Sequence, residues 1–276
     1  MRKVPETPQQ SVRFPNAGDS LNANDYVVES YLLAETTAIS DARPFLDAAL
    51  IEPMSSVAVI AGTGPVIGAA SARRFAREGH AVALLARTEE YAAELAAELR
   101  SDGHEALAVT ADVTDADDVS TAFDRVNEEL GAIEVLVHNA NSTSGGSIDD
   151  CSPAAFEQVW RTRAFSGFLC VREALADLRE TDGTVLFSGT SFGHDGNADM
   201  VDWGSGAFAT RGLATSLASG LGTDGVHVAY VSIGGRVVTT DDPGPGAIPA
   251  ADVADTYAKL AAQENGYTTE LDLQPI

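Results

Sequence analysis

Residues 55–87 read SSVAVIAGTGPVIGAASARRFAREGHAVALLAR, and this stretch limits the folds open to the chain more than any other. Val57–Ala61 is a short apolar run rich in β-branched residues, the pattern of a strand buried on both faces. Gly62-Thr63-Gly64-Pro65 cannot continue that strand, because a proline offers no N–H to a ladder. Gly68, Ala72, Phe75 and Ala76 then recur at helical spacing, Gly79 supplies a stop, and Ala81–Ala86 is apolar again. Strand, glycine-rich turn, helix and second strand within ~30 residues make a dinucleotide-binding βαβ start. The physical reason is that a helix N-terminus presents unpaired N–H groups and a positive dipole end to a pyrophosphate. A tight strand-to-helix turn without a ligand has the same outline, so the remainder of the chain must discriminate.

Charge narrows the partners. The 276 residues carry a formal charge of −24, with 41 Asp plus Glu against two lysines, Lys3 and Lys259. Such a surface repels nucleic acid and anionic membranes, which excludes both as partners. It suits a protein kept soluble in very high salt, so a halophilic, cytoplasmic protein is expected. Cys151 and Cys170 have no metal or redox spacing, and the five histidines form no HExxH-like pair, so no metal is predicted. The basic start MRKV runs into PETPQQ rather than an apolar segment, so it does not read as a signal peptide. No apolar stretch approaches membrane-spanning length.

Residues 1–53 fall outside the βαβ pattern. Pro5, Pro8, Pro15 and the polar NAGDSLNAND segment predict a poorly ordered N-terminal extension with short helices over 26–33 and 42–50. Met54 lies just ahead of the first strand, so the extension is an appendage, with translation possible from Met54, or an arm packed on a partner subunit. Residues 54–276 form one domain. Strands are predicted at 57–61, 81–86, 106–110, 133–138, 183–188, 226–233 and 270–273. Helices fall between them, including a long one from Ser152-Pro153 to about residue 178, and others over 203–221 and 249–262. This alternation predicts an α/β, doubly wound parallel sheet of Rossmann type.

With these elements placed, residues 55–276 resemble the short-chain dehydrogenase/reductase family. The glycine turn, the Asp112-Val113 pair, the His138-Asn139-Ala140 strand end and the helix AFATRGLATSLASGLG stand in family order. GTGPVIG and TTELDLQP are most similar to a divergent branch with a GxGPxxG turn. The resemblance implies NADP, with NAD as the other option, bound by Gly62, Thr63, Gly64, Ile67 and Gly68 at the pyrophosphate. Arg87 and Thr88 follow strand two, where a basic residue suits the 2′-phosphate; Arg87 pairing with Glu89 or Glu90 is the alternative. Asp112 would face the adenine or cap the following helix, with Val113 beside it, and Asn139 and Ala140 would lie along the nicotinamide ribose. Val66 stands where the family has a glycine, bringing a β-branched side chain toward the pyrophosphate and weakening or abolishing binding.

The family's proton transfer uses a Tyr-x-x-x-Lys pair on one helix face. Here the resemblance places Trp203 at the Tyr position, Ala207 at the Lys position, and Thr190 or Ser191 near the Ser. Arg163 takes the place of an Asn, either restoring a positive charge near the ribose or pairing with a surface acid. An indole N–H does not titrate usefully and Ala offers nothing. His194 with Asp195, and Asp202, are the candidate substitutes, with a plain surface loop as the alternative. Two readings follow: an NADP(H)-linked oxidoreductase acting on a small carbonyl or alcohol, or a non-catalytic nucleotide-binding or structural homologue. Either is expected as a homodimer or homotetramer through the helices over 153–178 and 203–221. The 239–249 segment, short and rich in Gly and Pro, predicts an open pocket.

Overall fold

The computed structural model describes residues 56–142, 145–242 and 244–276; the expectations for residues 1–53 lie outside them. The opening βαβ unit is β1 (Val57–Ala61), α1 (Ile67–Arg77) and β2 (Ala81–Ala86). It is followed by α2 (Glu89–Ser101), β3 (Ala106–Thr110), α3 (Ala116–Glu129) and β4 (Ile133–His138). After β4 come α4 (Pro153–Trp160), a π-helical turn over Arg161–Phe165, α5 (Ser166–Glu180) and β5 (Thr184–Ser188). The remainder is α6 (Phe192–Asp195), α7 (Val201–Leu221), β6 (His227–Ile233), β7 (Arg236–Val238), β8 (Ala247–Pro249), α8 (Ala250–Ala261) and β9 (Glu270–Leu273).

Seven strands pair in the order β3-β2-β1-β4-β5-β6-β9, all parallel. Because β1 is central, each of its residues is buried, and alternate ones serve opposite faces of the sheet. Val57, Val59 and Ala61 join a core with Phe123 of α3, Leu178 of α5 and Ala214 of α7. Ala58 and Ile60 join a second core with Phe75 of α1, Leu95 of α2 and Tyr257 of α8. The sheet is therefore covered on both sides, which is why its strands are apolar runs rather than alternating ones. Among the described residues no helix is long and apolar enough to cross a membrane.

Local chemistry sets the helix starts. The Asp115 carboxylate accepts from the backbone N–H groups of Asp117 and Asp118 and caps α3. Ser152 accepts from Ala155 N with Pro153 in the first turn of α4. The expected single helix from 153 to 178 is interrupted by the π turn. There the Ser166 hydroxyl donates to Thr162 O (2.5 Å) and the Thr210 hydroxyl donates to Arg163 O (2.9 Å). Side chains thus satisfy carbonyls that a regular ladder would serve. The α6 turn and the β7–β8 pair are not foreshadowed by the sequence pattern either; β7 precedes the 239–249 segment and β8 ends it.

Candidate functional site

The strand order reverses between β1 and β4, and a groove of about 370 Å³ lies at the carboxyl ends of β1 to β4 there. Nine of the eleven residues singled out from the sequence line it: Gly62, Thr63, Gly64, Arg87, Thr88, Asp112, Val113, Asn139 and Ala140. The other two stand behind or beside it. A side chain at Gly68 would meet Thr63 Cα at 3.0 Å, so its glycine allows the helix to approach the turn. Ile67 lines the neighbouring cavity instead.

Hydrogen bonds hold the groove's turns. Gly62 N and Thr63 N both donate to Leu85 O, and the Thr63 hydroxyl donates to Ile60 O. Gly62 has φ +97°, and a Cβ there would sit 2.4 Å from Ala140 N, so glycine is required twice over. Asn139 Nδ2 donates to Gly62 O at 2.9 Å, tying the end of β4 to the first turn. The first turn of α1 has no side-chain cap. Asp112 does not cap the following helix, a role Asp115 takes; instead it accepts from Thr114 N and Oγ1 at 2.9 and 2.8 Å. Burial pushes its carboxyl pKa up, but the Thr114 donors and the charges of Arg87 and Arg161 outweigh this and hold it low. Arg87 forms no ion pair with Glu89 or Glu90 among the described residues, and its charge is felt at Asp112. Val66 is not among the residues that line the groove; it lines a separate cavity between α1 and α8 with Arg73 and Ala254.

A second cavity of about 270 Å³ continues from the groove over the ends of β5 and β6 and shares Asn139 and Asn141 with it. Arg163, Thr190 and Trp203 line this cavity; Ala207 is fully buried behind it. The surface-pair alternative for Arg163 does not hold, because the side chain is only 5% exposed. Its stem packs against Gly206, where a Cβ would lie 3.0 Å from Arg163 Cδ. Nη1 donates to Asn141 Oδ1, and the guanidinium lies 5.4 Å from the Trp203 ring centroid in a cation–π contact. Burial lowers the Arg163 pKa to about 10, which leaves it cationic at neutral pH. Two buried donors, Arg163 Nε and Trp203 Nε1, have no hydrogen-bond partner among the described residues. Each such orphan costs about 1–3 kcal/mol.

His194 is not placed for acid–base work here. It sits on α6 with Nε2 3.2 Å from Glu270 Oε1 of β9, and it does not line the cavity. Asp195 and Ser191 do not line it either, and Asp202 is buried with Oδ1 accepting from Trp203 N. Sequence reasoning missed Asn141, which joins the two compartments, and Ser188 and Arg236 on the cavity wall. Asn141 was within reach, two residues beyond Asn139 at the same strand end. It also missed buried His138, whose pKa falls to about 3 through burial and then the Arg163 charge. His138 Nε2 lies 2.7 Å from Ser166 Oγ, whose proton goes to Thr162 O, so Nε2 is the donor.

A parallel seven-stranded sheet with a glycine turn at its switch point defines the class, and the short chain dehydrogenase profile matches residues 56–241. The chain belongs to the short-chain dehydrogenase/reductase family. Among curated proteins it is similar to a cis-4-hydroxycyclohexanecarboxylate dehydrogenase of Sinomonas cyclohexanicum, 31% identical over 75% of this chain and 81% of that one. A versicolorin reductase of Emericella nidulans is 34% identical over 48% of this chain and 50% of its own length. Among solved structures, a metagenomic short-chain oxidoreductase in complex with NADP superposes with TM-score 0.72 at 27% identity, covering 81% of this chain and 98% of that one.

Proposed function

We propose that the groove binds NADP(H) and that the chain does not perform the family's Tyr–Lys proton transfer. The observation that carries this is the convergence of nine expected residues on one groove; the resemblance, which aligns Trp203 and Ala207 with the family's Tyr and Lys, supports the second half. The residues fit the nucleotide. Gly64 has nothing within 4 Å of a Cβ, so packing gives no reason for glycine there, whereas close approach of a phosphate does. The uncapped first turn of α1 offers N–H groups to the pyrophosphate. Arg87, free of Glu89 and Glu90, is the cation for a 2′-phosphate, and the NADP-bound relative supports that choice over NAD. Asn139 and Ala140 take the nicotinamide ribose, with Asp112 toward the adenine.

When bound, the nicotinamide supplies or accepts hydride. The chain's own groups do little with the accompanying proton. Ala207 cannot lower a neighbour's pKa, the Trp203 indole does not titrate near neutrality, and buried Arg163 keeps its proton. A second reading, an oxidoreductase with another proton donor, is favoured by the persistence of the adjoining cavity and of Thr190 within it. Fluorescence titration of NADPH in concentrated salt tests the first reading: saturable binding without NADPH oxidation over a panel of aldehydes and ketones is expected. Absent binding would refute nucleotide recognition, and steady oxidation would favour the second reading. Self-association is part of the proposal. Trp160, Phe168 and Phe208 are 40–45% exposed on α4, α5 and α7, and light scattering is expected to give a dimer or tetramer.

A further inference from the structure

We propose that the cavity beside the groove is an anion site, built to hold the carboxylate of a small organic acid, with Arg163 as its anchor. This deepens the nucleotide-binding reading by naming the class of molecule that sits next to the cofactor.

The sign of the lining is the first argument. The chain carries 41 acidic residues, yet no Asp or Glu is among the described residues lining this cavity, and two arginines, Arg163 and Arg236, are. A pocket of that composition in a protein of charge −24 is a local reversal of the surrounding field, and it selects for negative ligands. The second argument is the stock of hydrogen bonds. Arg163 Nε and Trp203 Nε1 are buried donors without an acceptor among the described residues, and both belong to residues of the cavity wall. Neither group can accept, so each calls for an acceptor oxygen, which an anionic ligand supplies with charge as well.

Geometry then favours a carboxylate. Asn141 occupies Nη1 of Arg163, and Nε, which has no partner among the described residues, belongs to the fork edge that it shares with Nη2. The same edge grips carboxylates elsewhere in this molecule. Arg73 donates from Nε and Nη2 to the two oxygens of Glu98 at 2.7 and 2.8 Å, and Arg211 does so to Glu270 at 2.9 and 3.2 Å. A planar two-oxygen anion matches that edge, and a point anion uses half of it. The cation is also held in place without such a partner, by Asn141, by the Trp203 face and by its stem against Gly206. A site formed in advance loses little freedom on binding.

Benzoate and benzamide are suitable probes, nearly identical in shape and different in charge. Their affinities are measured by calorimetry at one fixed chloride concentration, on the full chain with and without NADPH. Benzoate is expected to bind at least tenfold more tightly than benzamide. Arg163→Met is expected to erase the difference, and Arg163→Lys to retain part of it. Equal affinity in the parent, or a preference that survives Arg163→Met in a variant whose circular dichroism matches the parent, overturns the proposal. If Arg163→Met does not fold, Arg163→Lys decides: an unchanged preference there removes the forked contact and with it the proposal. The NADPH titration on the same samples separates the two readings. Lost nucleotide binding with a retained benzoate preference sinks only the groove assignment, and the converse sinks only the anion site.

Discussion

The groove over β1 to β4 and the cavity over β5 and β6 are neighbours with opposite histories of constraint. In the groove, backbone does most of the work: a left-handed Gly62, the Asn139 clasp on Gly62 O, an uncapped helix start. Val66 lines another cavity rather than this one. In the cavity, side chains do the work. On the proposed reading, a buried cation, an indole and an alanine take the places of the family's proton-transfer groups. That reading makes binding built on main-chain geometry separable from chemistry built on side chains within one sheet.

The largest test of that separation is turnover. The parent is expected to leave NADPH unoxidised with aldehydes and ketones. Joint Trp203→Tyr, Ala207→Lys and Arg163→Asn changes are expected to raise oxidation by about 10²-fold or more, the range that positioned acid–base groups contribute. Without Arg163→Asn the gain should be smaller, because the new lysine enters a fully buried position next in sequence to Gly206, against which Arg163 packs. Fast oxidation by the parent would break the comparison. Next comes Arg87→Asp, expected to weaken NADPH relative to NADH by roughly 10- to 100-fold, as for a charge-assisted contact of ~1.5–3 kcal/mol. Equal affinities of the parent for both nucleotides would remove Arg87 from the groove's function.

Stability supplies a third test. His138 has a folded pKa of about 3, below its unfolded value of ~6.5, so the unfolded chain binds the extra proton between these values. Its contribution is therefore complete above about pH 6.5 and is lost as pH falls toward 3, with a slope of at most ~1.4 kcal/mol per pH unit. Denaturant titrations of the parent and of His138→Gln should differ in that window and in that direction; parallel curves would contradict it. The smallest effect is expected from Val66→Gly. Because Val66 faces the α1–α8 cavity, NADPH affinity should move by less than about threefold, ~0.6 kcal/mol. A large gain would return Val66 to the pyrophosphate.

Most of the sheet was readable from residues alone, since burial on both faces writes each strand as an apolar run. The bounds of β1, β2, β3, β4 and β9 agree with those read from the sequence. The groove was readable for a related reason: its residues follow strand ends, and strand ends are what periodicity locates. Arg163 was found but could not be oriented, because nothing in a linear pattern separates an arginine under Trp203 from one in solvent. Asn141 lies in a connecting segment without periodicity, and Arg236 opens β7, whose pair with β8 is three residues on each side, too short to register.

The π turn at Arg161–Phe165 has a consequence for how this cavity can change. Each π closure spans one residue more than an α closure, so the helical rod from 153 to 180 holds a supernumerary residue. Removing any one residue of the five would let the rod close as uniform α-helix. The halves on either side would keep their phase, because the turn already absorbs the extra residue. The five residues themselves would be re-aimed, Arg163 among them. A single-codon deletion there should therefore alter the Arg163 wall of the cavity while sparing the β1–β2 half of the sheet.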